Sequence, residues 1–457
     1  MIKKFITLIF ISLGLGFLSR GVGLNLYQAV AISIFSMSIL GTLFFWDFRL
    51  SFAFLGVSIL LIFKVIDLEN FIKFSSLEVI LFLVGMMVLI GLLKDAGVFA
   101  WIVGWILRIR NLTARKFVIF ISLISAGLAC AVDEVTSIVF IVAAVFEICD
   151  YFEVNPTPFL IISVLATNVG SGGTALGNPI GILIASKSGL TFEDFIINAL
   201  PLTIVCLVLI IILVFFWFRK EIKQLDANIK NLGANDVLIN LISVPPDKDL
   251  KISLVVFGIT LFFIALHHRL EVLWNLPANT LLLIIPLISS GCVMIWKYRK
   301  ARIYIEKNVE WWTLLFFLFL FSQAGALKYS GATDVLAQKL VAWTKNSPFL
   351  LITVILWISA IGSSVLDNVV LVAVFIPIIQ SLGISRIDNL WWALLFGGCL
   401  GGNITLIGST ANIVALGILE KEKNIRVSFM QWFKVGLVSS VIVISVVWVW
   451  LIFISRP

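Results

Sequence analysis

The sequence repeats part of itself at a constant offset of 234 (325 − 91 = 234). The segment 81–99 reads LFLVGMMVLIGLLKDAGVF, and the segment 315–333 reads LFFLFLFSQAGALKYSGAT. Identical residues stand at matching positions in three pairs: Gly91 and Gly325, Lys94 and Lys328, and Gly97 and Gly331. A duplicated set of apolar segments is typical of secondary transporters, whose substrate site lies between the two copies near the middle of the membrane.

Each copy also carries an acidic residue inside an apolar stretch. Asp133 lies within CAVDEVTSIVF, Asp367 lies within SVLDNVVLVAV, and the offset between them is again 234 (367 − 133 = 234). An ionised side chain at the centre of a bilayer costs at least about 2.5 kcal/mol, so such residues are retained where they serve an ion or substrate path. We therefore interpret both acids as candidate functional residues.

The composition is that of an integral membrane protein. Of the 457 residues, 61% are hydrophobic and 13% are charged, whereas soluble proteins contain about half apolar and about a quarter charged residues. The net charge of +8 comes from basic residues in short loops, which is the pattern of cytoplasmic loops rather than of a surface that binds nucleic acid. We expect the lipid bilayer as a partner, no nucleic-acid partner, and a location in the inner membrane of a bacterium.

Apolar runs of about 17–25 residues predict the membrane-spanning helices. The first four runs are 4–19, 25–46, 51–66 and 78–96. Basic residues near the N-terminus place it in the cytoplasm, and after three crossings the fourth run leads inward. Loop charges make the corresponding run of the second copy, 311–327, lead outward. The two copies are therefore predicted to have opposite orientations in the membrane.

Two segments, 117–152 and 348–383, predict re-entrant hairpins. Each segment is apolar at both ends, but a polar sequence interrupts its centre, DE in the first segment and SSVLDN in the second. A continuous span would bury these groups in hydrocarbon, whereas a hairpin tip can lie within protein or beside water, where polar groups are tolerated. We expect the tips at 131–135 and 363–368.

Two further segments predict helices that are broken in the middle. The segment 157–186 contains NVGSGGTALGNP, and the segment 391–419 contains GGCLGGNITLIGSTAN. Clusters of Gly, Asn and Ser oppose a continuous helix. Asn178 followed by Pro179 is typical of the N-cap and first residue of a new half-helix.

The predicted fold class is an all-α polytopic membrane protein with an inverted repeat. It has about 11 transmembrane helices, two re-entrant hairpins and two broken helices. The predicted parts are N-terminal scaffold helices (1–77), a first repeat (78–218), a cytoplasmic linker (219–250) and a second repeat (251–457).

The tips and the breaks together form the candidate binding site. The N-termini of half-helices carry partial positive charge that suits an anion, while unwound carbonyls and Ser, Thr, Asn and Asp oxygens suit a cation such as sodium. The candidate ion- or substrate-binding residues are Asp133, Glu134, Thr136, Asn168, Ser171, Thr174, Asn178, Ser364, Asp367, Asn368, Asn403, Thr405, Ser409, Thr410 and Asn412.

Within this set we expect two sodium sites, Asp133/Asn168/Thr174 and Asp367/Asn403/Thr405. A carboxylate in surroundings of low dielectric constant binds a proton readily, and a nearby cation opposes that binding, so sodium and protons compete for one group. The first copy has Glu134 where the second has Asn368, so it carries one more titratable side chain. We expect sodium or a proton as the coupling ion and no other cofactor.

Structural roles compete with these functional ones. The two aspartates also fit the N-caps of the helices that leave the tips, the Gly-x-x-x-Gly spacings in the breaks fit close helix packing, and Lys94 and Lys328 fit anchors at the membrane surface. A channel would also use a polar path at the middle of the membrane. The sequence contains no HExxH, GxSxG or Walker motif, so we expect no enzyme.

Two stretches carry a family resemblance. LATNVGSGGTALGNPIGILIASKSGLTFEDFIINALP and its counterpart WWALLFGGCLGGNITLIGSTANIVALGILEKE resemble the two halves of the ion transporter superfamily with a citrate-transporter-like domain, over residues 78–436. This group includes arsenite permeases, sodium/proton antiporters, the P protein, and citrate and dicarboxylate/sodium symporters. The tips DEVT and LDNV are most similar to the P protein and antiporter branches, because dicarboxylate/sodium symporters typically have Ser-Asn-Thr at each tip.

The resemblance implies a homodimer in which a scaffold domain holds a mobile transport domain that moves as an elevator. Together with the two tip carboxylates, it predicts secondary active transport in which a sodium gradient drives proton antiport. The tips and breaks contain no arginine, the usual bidentate partner of a carboxylate, which weakens the case for an organic acid. Symport or export of a small anion such as citrate, a dicarboxylate or arsenite is the alternative, and an ion channel is a further one.

Overall fold

The computed structural model describes residues 2–21, 23–45, 48–107, 113–232, 247–345, 347–382 and 388–454. Every regular element in these ranges is helical. Seven of the described helices are long and apolar enough to cross a membrane, and a pair of helices bent by 59° makes an eighth. The prediction of an all-α polytopic membrane protein is confirmed, whereas the count of eleven crossings stays a prediction.

Four helices precede the first copy of the repeat: α1 (Ile2–Gly21), α2 (Leu26–Phe44), α3 (Arg49–Ile62) and α4 (Leu68–Phe74). Helix α2 packs against both α1 and α3. It begins with a capping box, in which the side chains of Asn25 and Gln28 each accept a hydrogen bond from the other's backbone N–H. The box pairs two N–H groups that the first turn of a helix otherwise leaves free.

The first copy contains six helices: α5 (Leu77–Asp95), α6 (Val98–Leu107), α7 (Ala114–Ala131), α8 (Glu134–Tyr151), α9 (Thr157–Gly170) and α10 (Pro179–Ser188). Helices α7 and α8 pack against each other, and the chain between them leaves the helix inside the predicted tip 131–135. It leaves the helix again at 171–178, between α9 and α10. Helix α9 is buried along its whole length, as expected for a helix whose residues are mostly apolar on every side.

Two helices follow the first copy, α11 (Phe192–Trp217) and α12 (Arg219–Leu232). The second half of the chain then contains α13 (Lys248–Ala265), α14 (His267–Leu273), α15 (Thr280–Trp296), α16 (Ala301–Ile303) with a π-helical turn (Tyr304–Asn308), α17 (Trp311–Tyr329), α18 (Ala332–Trp343), α19 (Pro348–Ser363), α20 (Asn368–Gln380), α21 (Asp388–Gly401), α22 (Thr410–Lys423) and α23 (Phe429–Phe453).

The helices of the two copies begin at matching residues. The first residues of α5 and α17 are related by the offset 234 (311 − 77), and so are those of α8 and α20 (368 − 134). The offset falls to 231 for α21 and α9 (388 − 157) and for α22 and α10 (410 − 179). The offset of 234 is that of the repeat around Gly91 and Gly325, and the offset of 231 also relates Thr174 to Thr405 in the breaks (405 − 174 = 231). Each of these helices of one copy therefore has an identifiable partner in the other.

The amphipathic helix α12 fastens the start of the first hairpin. The backbone N–H of Ala114, in the first turn of α7, donates to Asp226 Oδ1 at 3.3 Å, and Lys230 Nζ lies 2.9 Å from Asp226 Oδ2. The hydrogen bond from Lys230, followed by that from Ala114, holds the pKa of the Asp226 carboxyl below its ordinary value. A negative charge is favourable beside a helix N-terminus. The remainder of the predicted linker, 233–246, lies outside the described residues.

Each hairpin packs against the broken helix of its own copy with almost no space between the backbones. A Cβ atom added to Gly170 in α9 would lie 2.3 Å from the carbonyl oxygen of Ala126 in α7. A Cβ atom added to Gly401 in α21 would lie 2.2 Å from the carbonyl oxygen of Ala360 in α19. The positions are equivalent in the two copies (401 − 170 = 231; 360 − 126 = 234), so one contact between small residues is used twice.

We expect Gly170→Ala and Gly401→Ala each to lower the free energy of unfolding by about 1–3 kcal/mol, because the neighbouring backbone must move to admit a methyl group. Gly127→Ala is the matched control in α7, since a Cβ atom there meets nothing within 4 Å and alanine favours a helix. Thermal unfolding of the purified protein in detergent measures the difference. If Gly170→Ala is as stable as Gly127→Ala, the close contact does not exist.

Candidate functional site

Each hairpin tip is bonded to the break of its own copy by the same hydrogen bond. The hydroxyl of Thr174 donates to the carbonyl oxygen of Cys130, and the hydroxyl of Thr405 donates to the carbonyl oxygen of Ser364. The two hydroxyls also accept from a backbone N–H two residues later, at 3.2 Å and 3.3 Å respectively. These threonines therefore pair backbone groups that the interrupted helices would leave unsatisfied.

The aspartates at the tips cap the helices that follow them. Asp133 Oδ1 accepts from the backbone N–H of Thr136 at 2.7 Å, and Asp367 Oδ1 accepts from the backbone N–H of Val369 at 3.0 Å. Asp367 Oδ2 also accepts from the hydroxyl of Thr410 at 3.0 Å. The structural role weighed from the sequence is thus present at both tips. A cap uses part of a carboxylate's capacity of about four lone pairs, so it leaves room for an ion.

The second half-helices also begin with side-chain caps. The backbone N–H of Gly181 donates to Asn178 Oδ1 at 2.8 Å, and the backbone N–H of Ala411 donates to the hydroxyl oxygen of Ser409 at 3.2 Å. Asn178 and Ser409 are equivalent positions (409 − 178 = 231). Helices α10 and α22 therefore both begin within the candidate site, and their N-termini contribute partial positive charge there.

A buried amide network joins the two breaks across the copies. Asn168 Nδ2 donates to Asn403 Oδ1 at 2.7 Å and to Asn412 Oδ1 at 2.9 Å. Asn168 Oδ1 in turn accepts from the hydroxyl of Ser409 at 3.1 Å, and Asn412 Nδ2 donates to the carbonyl oxygens of Gly402 and Thr405. With all four side chains buried, such a satisfied network fixes the relative position of the two copies.

The two tips meet through a pair of equivalent residues. Asn368 Nδ2 donates to Glu134 Oε1 at 3.3 Å, and the two positions are related by the offset of the repeat (368 − 134 = 234). The hydroxyl of Ser409 lies 3.4 Å from the same carboxylate oxygen. The other oxygen, Glu134 Oε2, has no hydrogen-bond partner although Glu134 is only 2% exposed. An unpartnered buried oxygen is costly, so it marks a place for an ion or a proton.

A cavity of about 230 Å³ lies against these residues. At about 30 Å³ for each water molecule, it has room for a hydrated cation or a small anion. Its lining includes Met86 and other apolar side chains of α5. The predicted site residues that line it are Asp133, Glu134, Thr136, Asn178, Asn368 and Thr410.

The structure does not gather all the predicted residues at this cavity. Asp367 lines a separate cavity of about 250 Å³ whose other walls are mostly apolar. The remaining predicted residues lie in the packed tips and breaks: Asn168, Ser171, Thr174, Ser364, Asn403, Thr405, Ser409 and Asn412. In the two predicted sodium sets, the threonine hydroxyls and the asparagine amides already bond to other groups, so only the aspartates face a cavity.

Sequence reasoning missed a group of polar residues that also line the first cavity. Asn308, Glu310 and Thr313 come from the π-helical turn and the start of α17. The hydroxyl of Thr313 donates to Glu310 Oε2 at 3.3 Å, and Arg49 Nη2 donates to Thr313 Oγ1 at 3.2 Å. Glu310 directly precedes two tryptophans at the start of an apolar run, which made it resemble an ordinary membrane-surface residue.

The glycines of the sequence repeat allow a close approach between the copies. A Cβ atom added to Gly91 would lie 2.0 Å from Asn308 Nδ2, and one added to Gly325 would lie 2.2 Å from Phe74 Cβ. Asn308 and Phe74 are themselves equivalent (308 − 74 = 234). The repeated glycines thus make equivalent contacts in the two copies. The partner is the polar Asn308 in one contact and the apolar Phe74 in the other.

The repeated lysines lie at two corresponding cavities. Lys94 lines the cavity that contains Asp133. Lys328 lines another cavity, of about 210 Å³, together with Lys73 and Lys187, and its Nζ donates to Gln380 Oε1 at 2.8 Å. Both lysines thus lie beside cavities, and a role as surface anchors stays a prediction.

Comparisons with known proteins agree with this architecture. A family model for the CitMHS citrate transporter matches residues 42–397. A Mycobacterium tuberculosis protein named "Uncharacterized transporter Rv2685" is 32% identical over 383 residues, which cover 82% of this chain and 86% of that protein. The human P protein is 27% identical over 446 residues, which cover 81% of this chain and 52% of that protein.

The crystal structure of the Alcanivorax borkumensis YdaH transporter has a similar fold. It superposes with a TM-score of 0.55 over 85% of this chain and 87% of that one, at 16% sequence identity. At this identity the similarity concerns the fold alone. The resemblance drawn from the tip and break sequences is confirmed by the family model and the relatives together. The chain therefore belongs to the CitMHS citrate transporter family of the ion transporter superfamily.

Proposed function

We propose that this transporter is a secondary active antiporter in which a sodium gradient drives protons in the opposite direction. The observation that carries the proposal is the buried, unpartnered Glu134 Oε2 beside Asp133 in one cavity. Two adjacent carboxylates of like charge favour binding of a cation or a proton between them. Because either ion satisfies the same oxygen, sodium and protons exclude each other, and that exclusion couples their movements.

We further propose that the cavity opens to the cytoplasm. Lys94 and Lys307 line it, and the basic sequence KYRKAR occupies 297–302 nearby in the chain. Basic loops of this kind remain on the cytoplasmic side of an inner membrane. The same rule supports a cytoplasmic N-terminus. The homodimer and the elevator movement are part of the proposal on the strength of the family resemblance, and the glycine contacts favour movement of a hairpin and its broken helix as one unit.

Transport of a small anion is the second candidate function. The N-termini of α10 and α22 lie beside the cavity or its network, and Lys94 and Lys307 contribute positive charge to the lining. Helix N-termini and lysines are ordinary partners of carboxylates and oxyanions. In this function a bound sodium ion at Asp133 and Glu134 would screen the carboxylates from the anion.

In proteoliposomes that contain a pH-sensitive dye, we expect an inward pulse of sodium to make the interior more alkaline as protons leave. Lithium, citrate, succinate and arsenite are tested in the same vesicles, and protein-free vesicles are the control. The flux should saturate with sodium concentration and support counterflow, which separates a carrier from a channel. If sodium never changes the internal pH while labelled citrate or arsenite enters saturably, the protein is an anion transporter.

We expect Asp133→Asn and Asp367→Asn each to reduce sodium-driven proton movement by about tenfold or more, because each change removes an ionisable group from a hairpin tip inside the membrane. Asparagine caps helices about as well as aspartate, so both variants should fold and insert normally. Asp150→Asn is the control in α8, since Asp150 is 58% exposed and pairs with Lys423. If both tip variants transport at wild-type rates with unchanged pH dependence, the two aspartates serve only as helix caps.

A further inference from the structure

We infer that Glu310 is a third ion-handling carboxylate of this transporter, which passes protons or cations between solvent and the pair Asp133 and Glu134. The inference rests on the proposed function and adds a residue from outside the tips and breaks. All three carboxylates line the same cavity. Asp133 and Glu134 come from the tip of the first hairpin, whereas Glu310 comes from a different element, at the N-terminus of α17.

The three carboxylates differ in their exposure to solvent, and their order from exposed to buried is the order in which an entering ion meets them. Glu310 is exposed, Asp133 is half-buried and Glu134 is buried. An ion that leaves water meets Glu310 before it meets the deeper pair. Because an ion loses hydration as it moves inward, a carboxylate at each depth replaces part of what the water supplied.

The inner end of the path is defined by an unsatisfied atom. Glu134 Oε2 has no hydrogen-bond partner, while its neighbour Oε1 accepts from Asn368 at 3.3 Å. Buried polar atoms are nearly always paired, so this oxygen points to a ligand that completes it. The cluster is therefore more than a group of acids on a surface, since one of its members is buried and incomplete.

Glu310 is held in place by Thr313 of its own helix, which is in turn bonded to Arg49 of α3. Arg49 in α3 donates to the hydroxyl of Thr313 at 3.2 Å, and that hydroxyl donates to Glu310 Oε2 at 3.3 Å. The guanidinium of Arg49 also lies 5.6 Å from the centre of the Phe316 ring. A carboxylate that is fixed in this way keeps its place in the cavity lining.

The other charged groups of the lining determine whether cations or anions are favoured in the cavity. The charged side chains around the cavity are Lys94 from α5, Lys307 from the π-helical turn, and Asp133 and Glu134 from the tip, with Arg49 beyond Thr313. Both lysines are exposed. The carboxylates lie deeper on average than the lysines, which favours cations and protons inside the cavity while the outer rim is mixed.

The cavity on the opposite side of the repeat lacks this feature. The equivalent of Glu310 is Ser76 (310 − 76 = 234), which lines the cavity that contains Lys73, Lys187 and Lys328. No acidic residue occurs among the described residues that line that cavity. The acidic path therefore belongs to one side of the membrane, and Glu310 makes proton release on that side different from release on the other.

The test compares Glu310→Gln with Glu306→Gln, which removes an exposed carboxylate one turn earlier that pairs with Arg302. Sodium-driven proton movement is measured in proteoliposomes across a range of pH. We expect Glu310→Gln to lower the rate severalfold and to move its half-maximal pH downward by about one unit, because a negative charge that favours protonation of the neighbouring carboxylates is gone. Glu310→Asp should restore much of the wild-type profile, and Glu306→Gln should retain all of it.

The possible results are distinguishable. If the wild type shows no sodium-linked proton movement, the proposed function fails and the inference fails with it. If the wild type is active and Glu310→Gln keeps its rate and pH profile, only the inference is overturned. If Glu310→Gln does not fold, Thr313→Val decides, because it removes the hydroxyl that holds the carboxylate. That variant must shift the profile in the same direction, and an unchanged profile overturns the inference.

Discussion

A membrane interior offers no water to an unpaired backbone group, and the described hairpin tips and helix breaks of this protein meet that constraint with side-chain hydrogen bonds. The hairpin tips and helix breaks expose N–H and C=O groups that a continuous helix would pair. Two threonine hydroxyls, Thr174 and Thr405, each connect a break to a tip carbonyl, and the aspartates cap the helices that leave the tips. The polar side chains proposed to bind an ion are therefore the same ones that pair the backbone groups of the interrupted helices.

The fold could be predicted well from the sequence because the same pattern of segments occurs in both copies of the repeat. The constant offset, the two central acids and the paired Gly-rich segments indicated interrupted helices in both copies, and equivalent helices do begin at equivalent residues. The N-cap at Asn178 could be predicted because Asn followed by Pro is a local sequence signal for the start of a helix. The asparagines of the breaks were recognised as polar site residues, yet their use in a cross-copy network depends on distances between residues that lie far apart in the chain, which no local pattern contains.

The contribution of Glu310 and Arg49 to the site could not be predicted from the sequence for the same reason. Glu310 and Arg49 lie at the ends of apolar runs, where charged residues are common in any membrane protein. The packing of α3 against α17 joins Arg49 to Glu310 through Thr313, and Glu310 lines the cavity that the tip also lines. The absence of arginine from the tips and breaks remains true of the sequence, but Arg49 shows that charge near a site need not come from the motif that defines it.

The contact between Glu134 and Asn368 bears on how such a chain could have arisen. If a twofold axis relates the two copies, equivalent residues that touch, as these two do, lie on that axis. In an ancestor assembled from two separate, identical copies, one side chain would have faced itself at this point. Two asparagines can pair there by hydrogen bonds, while two ionised glutamates repel. In a single chain the two positions can differ, so one of them can be an acid while the other is an amide, as Glu134 and Asn368 are here.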